Sequence, residues 1–364
     1  MSTSLTKYRM NYDNKTFCVL PFIHKHTRLS NQDTLCCNSQ IAVRPEDINN
    51  IRQKLLTGEK IKHCRTCYAY EDQGIISPRM KENERWLADT EVKNYIETYT
   101  PEREETTFSY DLRYSNICNL ACIGCMPQQS SLWAKEMGIE TKPINFKFDL
   151  EKVKNAKFIY LAGGEPFLTT ELIELLKNIS KLDIQPFICI NTNLTIQDDE
   201  IKEICNDLKS LTLQISIDGI DKVAEYHRWP LKWEKFKRNL EWARSLNCNI
   251  MFNTVVDAVN VSFIHEILEY QNYPSIWNLT PIQNPIQLRV ENLPNHLKQS
   301  AHNNFIKLMK STYYTNDSNF KNKVDSIAKK ILEEGSPTIL SNHIQNMDNR
   351  RKINHVDFLG IDLK

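Results

Sequence analysis

The sequence predicts an α/β protein of repeated β/α units around a parallel sheet, with a small cysteine-rich module before the sheet and helices after it. Three observations predict this. From Phe108 to about residue 285, short apolar runs alternate with amphipathic stretches, the pattern of β/α repeats. Residues 1–87 are polar and carry five of the eleven cysteines, and 88–106 (ADTEVKNYIETYTPEREET) form a charged connector. Residues 291–364 hold further amphipathic segments with no recognisable chemistry, two or three helices between Leu293 and Lys352. The expected organisation is therefore a module at 1–87, a connector at 88–106, a sheet domain at 107–290 and a helical extension at 291–364.

Within the sheet domain, the expected strands are Phe108 to Arg113, Lys157 to Ala162, Pro186 to Asn191, Leu211 to Ile217, Asn249 to Val256 and Trp277 to Ile282, each a short apolar run. Between them Ser130 to Met137, Thr170 to Lys181, Asp198 to Lys209, Lys232 to Leu246 and Ser262 to Tyr270 place apolar residues at helical spacing, and Thr170 and Ser262 suit helix starts. The basic, aromatic run KWEKFKRNLEWAR puts its charges on one side of a helical wheel and Trp233, Phe236, Leu240 and Ala243 on the other, so it reads as a solvated outer face rather than a nucleic-acid site.

Composition narrows the function. Lys plus Arg number 46 against 45 for Asp plus Glu, a formal charge of +1, which supplies no long-range field toward nucleic acid or anionic lipid. The N-terminal MSTSLTKYRMNYDN lacks the apolar core of a secretory signal, and nothing approaches the roughly 18 apolar residues of a membrane helix. A soluble cytoplasmic protein is expected, and in reducing cytosol clustered cysteines read as metal ligands rather than disulfides. Cys189, Cys205 and Cys248 stand apart in apolar sequence and read as core packing.

Eight residues carry most of the chemistry: Cys118-Asn-Leu-Ala-Cys122-Ile-Gly-Cys125, in a loop after the first expected strand of the sheet domain. Three thiolates so close can hold three irons of a [4Fe-4S] cubane and leave the fourth open to an external chelator. A zinc site would want a fourth Cys or His at short spacing, and none follows Cys125 within about thirty residues. At the end of the next expected strand stands Leu161-Ala162-Gly163-Gly164-Glu165-Pro166, whose glycines allow backbone to approach a ligand and whose Glu165 can pair with an ammonium group.

Together these two motifs resemble the radical S-adenosylmethionine (SAM) superfamily, in particular members with a twitch or SPASM auxiliary-cluster region. The resemblance covers about residues 108 to 285 and implies a partial (β/α)6 TIM-type barrel. It also implies that Cys118, Cys122 and Cys125 hold a [4Fe-4S] cluster that reductively cleaves SAM to a 5'-deoxyadenosyl radical. Gly163, Gly164 and Glu165 then receive the methionine amino group. Asn193, Ser216 and Asp218, at later strand ends, serve the ribose, and Arg228 the methionine carboxylate; Asn253 and Thr254 are weaker candidates. Gly124 stands where many members carry an aromatic residue.

The same resemblance extends to Cys18, Cys36 or Cys37, and the pair Cys64-Arg-Thr-Cys67, which look like the ligands of an auxiliary iron-sulfur cluster, placed here before the barrel. It favours Cys36 over Cys37. Structural zinc is the alternative for these thiols, and His24 or His26 could substitute for one of them, although each reads more simply as a strand residue. The implied substrate is a peptide or protein side chain, with a sugar, nucleotide or other small molecule second, and the implied partner is a one-electron reductant such as flavodoxin or ferredoxin. The competing reading from another class is a non-catalytic iron-sulfur or zinc protein, an electron carrier or interaction module on a degenerate barrel.

Overall fold

The computed structural model describes residues 15–364 except 28–32, 40, 73, 114, 141–149, 269 and 271–275. The N-terminal stretch 1–14, read above for a signal, lies outside the described residues. The described strands are β1 His24–Thr27, β2 Asp33–Thr34, β3 Ser109–Arg113, β4 Phe158–Ala162, β5 Phe187–Thr192, β6 Leu211–Ser216, β7 Asn249–Val256 and β8 Ile276–Pro281. Strands β3 to β8 start and end within one residue of the sequence expectation. They were legible because each carries closely spaced apolar residues, several of them at alternating buried positions, as in Asn249–Val256 and Ile276–Pro281.

The chain divides into two compact units, residues 1–113 with 148–160, and residues 114–147 with 161–364. In the first, β1 runs parallel to β3, with His24 opposite Ser109 and His26 opposite Asp111, and β2 returns antiparallel to β1. Strands β1 and β2 are short and polar, so no apolar run announced them. Buried His26 has its Nδ1 2.7 Å from Thr34 Oγ1. The core of this unit gathers Phe17, Val19, Phe22, Ile23, Leu55, Trp86 and Phe108. Residues 88–106, expected as a connector, contain the helix Thr90–Glu97, capped by Asp89 and burying Val92, Tyr95 and Ile96 in that same core.

In the second unit β5 to β8 are consecutive parallel neighbours. Their connecting helices Thr170–Ser180, Asp199–Asp207 and Trp233–Arg244 bury Leu172, Leu176, Ile201, Ile204, Phe236 and Leu240. A short helix at Asp221–His227 was not anticipated. The helix expected over Ser262 to Tyr270 is instead a 3-10 segment, Ile264–Leu268, introduced by tight i to i+3 bonds from Phe263 N–H to Asn260 O and Glu266 N–H to Phe263 O. Five helices close the chain rather than two or three: Asn295–Phe305, Thr312–Asn316, Ser318–Ile331, Pro337–Arg351 and His355–Leu359. The extra breaks fall at the polar caps Ser311, Asp317 and Asn354. Among the described residues no helix is long and apolar enough to cross a membrane.

Candidate functional site

The cysteine loop lies wholly in the second unit and is held through its backbone. Ser131 Oγ accepts from Cys118 N–H at 3.1 Å and donates to the Cys118 carbonyl at 3.2 Å. Ser130, the cap of helix Ser131–Glu136, donates to the Leu120 carbonyl at 2.6 Å, and Trp133 Nε1 donates to the Cys122 carbonyl at 2.9 Å. On the other edge Ala121 N–H donates to Trp229 O at 2.6 Å and Ile123 N–H to His227 O at 2.8 Å. These two bonds draw residues 121–123 against the C-terminal turn of the helix Asp221–His227, and they bring Arg228 close enough to Cys122 and Cys118 for their charges to interact.

Cys118 and Cys125 are each close enough to another thiol of the loop for its charge to disfavour their ionisation. Burial first, then Cys122, push the Cys118 thiol up to about 12. Burial, Cys122 and Cys118 push Cys125 higher still. Cys118 and Cys125 therefore favour the protonated thiol until a metal takes the proton's place. Asn193 Nδ2 lies 3.8 Å from Cys118 Sγ and donates to Asn119 Oδ1 at 3.0 Å, tying the turn after β5 to the cysteine loop.

The Gly163-Gly164-Glu165 turn has a role that the motif alone did not reveal. Its glycines bring backbone against the residues leading into the cysteine loop: Gly164 N–H donates to Ser115 O at 2.6 Å and Glu165 N–H to Ile117 O at 2.7 Å. A Cβ on Gly163, which has φ +127°, would stand 2.6 Å from Ser115 O, and one on Gly164 2.1 Å from Ile117 O. The Glu165 carboxyl is buried and accepts from Thr192 Oγ1 at 2.7 Å, Asn193 N–H at 2.7 Å and Phe167 N–H at 3.3 Å. Burial pushes it up to about 7, against the pull of those donors. Because all three partners donate, Glu165→Gln sets an NH2 against a donor. The expected cost is about 2 kcal/mol of folding stability, measured by chemical denaturation.

Ser216 ends β6, nearly buried and in register with Asn253 of β7. Thr254 is internal, donating to Ile217 O and accepting from Trp277 Nε1, and Asn253 Oδ1 accepts from Asn278 Nδ2. Asp218 Oδ2 accepts from Arg228 Nη1 at 2.7 Å, and Asp218 Oδ1 from Val255 N–H at 2.8 Å. Burial opposes its charge, but His227 and Arg228 outweigh burial and hold it well below the usual carboxylate range. Arg228 is 8% exposed, and its Nε has no hydrogen-bond partner among the described residues. The Arg228 guanidinium, close enough to Cys122 and Cys118 for their charges to act on it, suits an anion beside the loop.

Two groups escaped the sequence reading. Arg351, at the end of helix Pro337–Arg351, donates Nη2 to the Ala121 carbonyl at 2.7 Å and Nε to Glu136 at 2.9 Å, with its guanidinium 5.1 Å from the Trp133 ring centre. No local signal separates it from a surface arginine. His227 stands between two carboxylates, Nε2 2.8 Å from Asp257 and Nδ1 3.4 Å from Asp218, and its placement follows only from the chain's return past the cysteine loop.

In the first unit, Cys18, Cys36, Cys64 and Cys67 line one small cavity with Arg79 and His63. Burial pushes Cys36 and Cys64 each up to about 12, followed by their thiol neighbours Cys37 and Cys67 respectively. Cys37 is exposed, accepts from Asn38 Nδ2 at 3.7 Å, and does not line the cavity. His24 and His26 do not line it either; both belong to β1, as strand residues. Among the described residues no three His, Cys, Asp or Glu side chains are preassembled around a single metal ion.

Residues 112–270 match the family model described as the Radical SAM superfamily. Similar sequences include the GTP 3',8-cyclase of Clostridium perfringens (strain 13 / Type A), 28% identical over 182 residues, 49% of this chain and 53% of that protein. The GTP 3',8-cyclase of Clostridium botulinum (strain Okra / Type B1) is 30% identical over 109 residues, 28% of this chain and 32% of that protein. The chain thus spans about half the length, or less, of the curated relatives it matches. Among solved structures, native anSMEcpe with bound AdoMet has a TM-score of 0.43 at 17% identity, covering 59% of this chain and 62% of that one. Streptococcus suis SuiB bound to S-adenosylmethionine has a TM-score of 0.41 at 12% identity, covering 72% and 64%.

Proposed function

We propose, from a chain whose residues 112–270 match the Radical SAM superfamily, that it is an enzyme carrying out radical chemistry with S-adenosylmethionine. The observation that carries this is that the bonds from Ala121 and Ile123 to Trp229 and His227 bring a buried arginine, Arg228, within electrostatic reach of three thiols on one loop. A [4Fe-4S] cluster with SAM on its open iron supplies one-electron cleavage of the sulfonium and a 5'-deoxyadenosyl radical that takes hydrogen from the substrate. The residues fit that group: Cys118, Cys122 and Cys125 supply thiolates, and Arg228 supplies a cation for the methionine carboxylate. The Gly163-Gly164-Glu165 turn receives the amino group. Asn193 and Ser216 serve the ribose, and Asp218 acts by holding Arg228. The barrel residues exclude water and stray hydrogen donors from the reacting atoms.

Cys18, Cys36, Cys64 and Cys67 are assigned to the auxiliary iron-sulfur cluster, supported by their shared cavity and the buried Arg79 beside it. Four thiolates add negative charge that Arg79 offsets, although Arg79 is itself paired with Glu71. Reconstituted protein is expected to hold about eight irons per chain if both clusters are [4Fe-4S]. Cys36→Ser should lower this toward about four, while Cys37→Ser leaves it unchanged, read by iron analysis. Equal loss in the two variants, or zinc in place of iron, overturns the assignment.

The substrate is a peptide or protein side chain, supported by the likeness of the N-terminal cysteines to the auxiliary regions of peptide-modifying members. A nucleotide is the second reading, favoured by relatives named GTP 3',8-cyclase. A one-electron donor of the flavodoxin or ferredoxin type supplies the reducing equivalent. Anaerobically reconstituted protein with SAM and dithionite should release 5'-deoxyadenosine. No release from fully iron-loaded protein favours the electron-carrier alternative. Faster release on adding GTP, with a new GTP-derived product by mass spectrometry, selects the nucleotide.

A further inference from the structure

The segment that delivers Arg228 to the cysteine loop is anchored on its far side by a buried row of alternating charge. Asp257 is fixed by its own turn, where Oδ1 accepts from Val259 N–H at 2.8 Å and from Asn260 N–H at 3.2 Å. Its Oδ2 lies 2.8 Å from His227 Nε2. The other ring nitrogen of His227 is 3.4 Å from Asp218 Oδ2, the same oxygen that accepts from Arg228 Nη1. Asn260 closes the group by donating Nδ2 to Asp218 O at 3.1 Å and to Val255 O at 2.8 Å. All five residues are at most 8% exposed, so their charges act on one another with little screening.

Asp218 therefore shares one oxygen between two cations. Without His227 that oxygen has Arg228 alone, and a second buried carboxylate, Asp257, loses its partner. The guanidinium would then be drawn into a two-pronged pair with Asp218, engaging the Nε that is now unpartnered. His227 also contributes its carbonyl to Ile123 N–H, so the ring and the backbone of one residue fix both the direction of Arg228 and its height on the loop.

We propose that His227, bridged to Asp257, is a positioning residue that keeps Asp218 from capturing Arg228 and leaves the Arg228 Nε free for the carboxylate of an amino-acid ligand at the cysteine loop. The inference rests on the SAM reading above for the identity of that ligand. No part of the sequence motif marks His227 or Asp257 for the role.

The test uses iron-loaded full-length protein and equilibrium binding of two probes. One is SAM; the other is 5'-methylthioadenosine, which keeps the nucleoside and the methylated sulfur but lacks the sulfonium charge and the whole aminocarboxylate arm. His227→Gln should weaken SAM binding about tenfold and leave 5'-methylthioadenosine within about twofold, with iron content unchanged. Because removing one buried cation can unfold the protein, the doubly neutral variant His227→Gln with Asp257→Asn is measured alongside, and it should show the same selective loss. Unchanged SAM affinity in either folded variant overturns the proposal, as does an equal loss for both probes, which marks a structural role only. If the unsubstituted iron-loaded protein binds no SAM, the enzyme reading fails instead, so the two failures are separable.

Discussion

Cys122→Ala is expected to reduce 5'-deoxyadenosine release to background, a loss of at least about a thousandfold, or roughly 4 kcal/mol of barrier. Cys122 is the middle thiol of the trio and lies within electrostatic reach of Arg228, so its removal takes away a proposed cluster ligand and the counter-charge of a buried cation. The four cavity cysteines of the first unit are untouched, so iron should fall only by the share of one cluster. Product is quantified by chromatography after anaerobic reconstitution, with iron analysis of the same sample. Release persisting in an iron-depleted variant would mean that the loop does not hold the reactive cluster.

Gly164→Ala should be strongly damaging for the addition of a single methyl group. The new Cβ would stand 2.1 Å from the Ile117 carbonyl oxygen, and because that obstacle is backbone no side chain can swing aside. The turn and the lead-in to the cysteine loop must separate, breaking the bonds from Gly164 N–H to Ser115 O and from Glu165 N–H to Ile117 O. The expected cost is about 3 kcal/mol or more in chemical denaturation, together with loss of one cluster's iron. Gly124→Ala is the internal control. Its Cβ would meet the flexible end of Ile282 at 3.3 Å, and a cost under about 1 kcal/mol is expected. Equal effects at the two glycines would contradict the close-approach explanation.

This pair also shows what a motif does and does not convey. Gly-Gly-Glu-Pro was readable as a turn with ligand-binding potential, but its glycines serve first to let one loop lie against another, and Glu165 spends its carboxyl oxygens on Thr192, Asn193 and Phe167. Cys36 and Cys37 make a related point: the resemblance favoured Cys36 without a physical reason, and the folded chain has Cys36 line the cavity while Cys37 is exposed. The helix Thr90–Glu97 was hidden because its charged residues dominate the composition while Val92, Tyr95 and Ile96 carry the packing.

The sequence by itself determined the elements whose causes are local. Strands β3 to β8 followed from apolar runs, the connecting helices from their spacing, and the thiol trio from eight contiguous residues, because pattern and ligand spacing are fixed by covalent neighbours. Only the tertiary structure decided that Arg228 comes within electrostatic reach of Cys122, that His227 lies between Asp218 and Asp257, and that Arg351 reaches the Ala121 carbonyl from 230 residues away. Those contacts join segments far apart in the chain, and a buried charge shows its partner only when the chain has brought both out of water together.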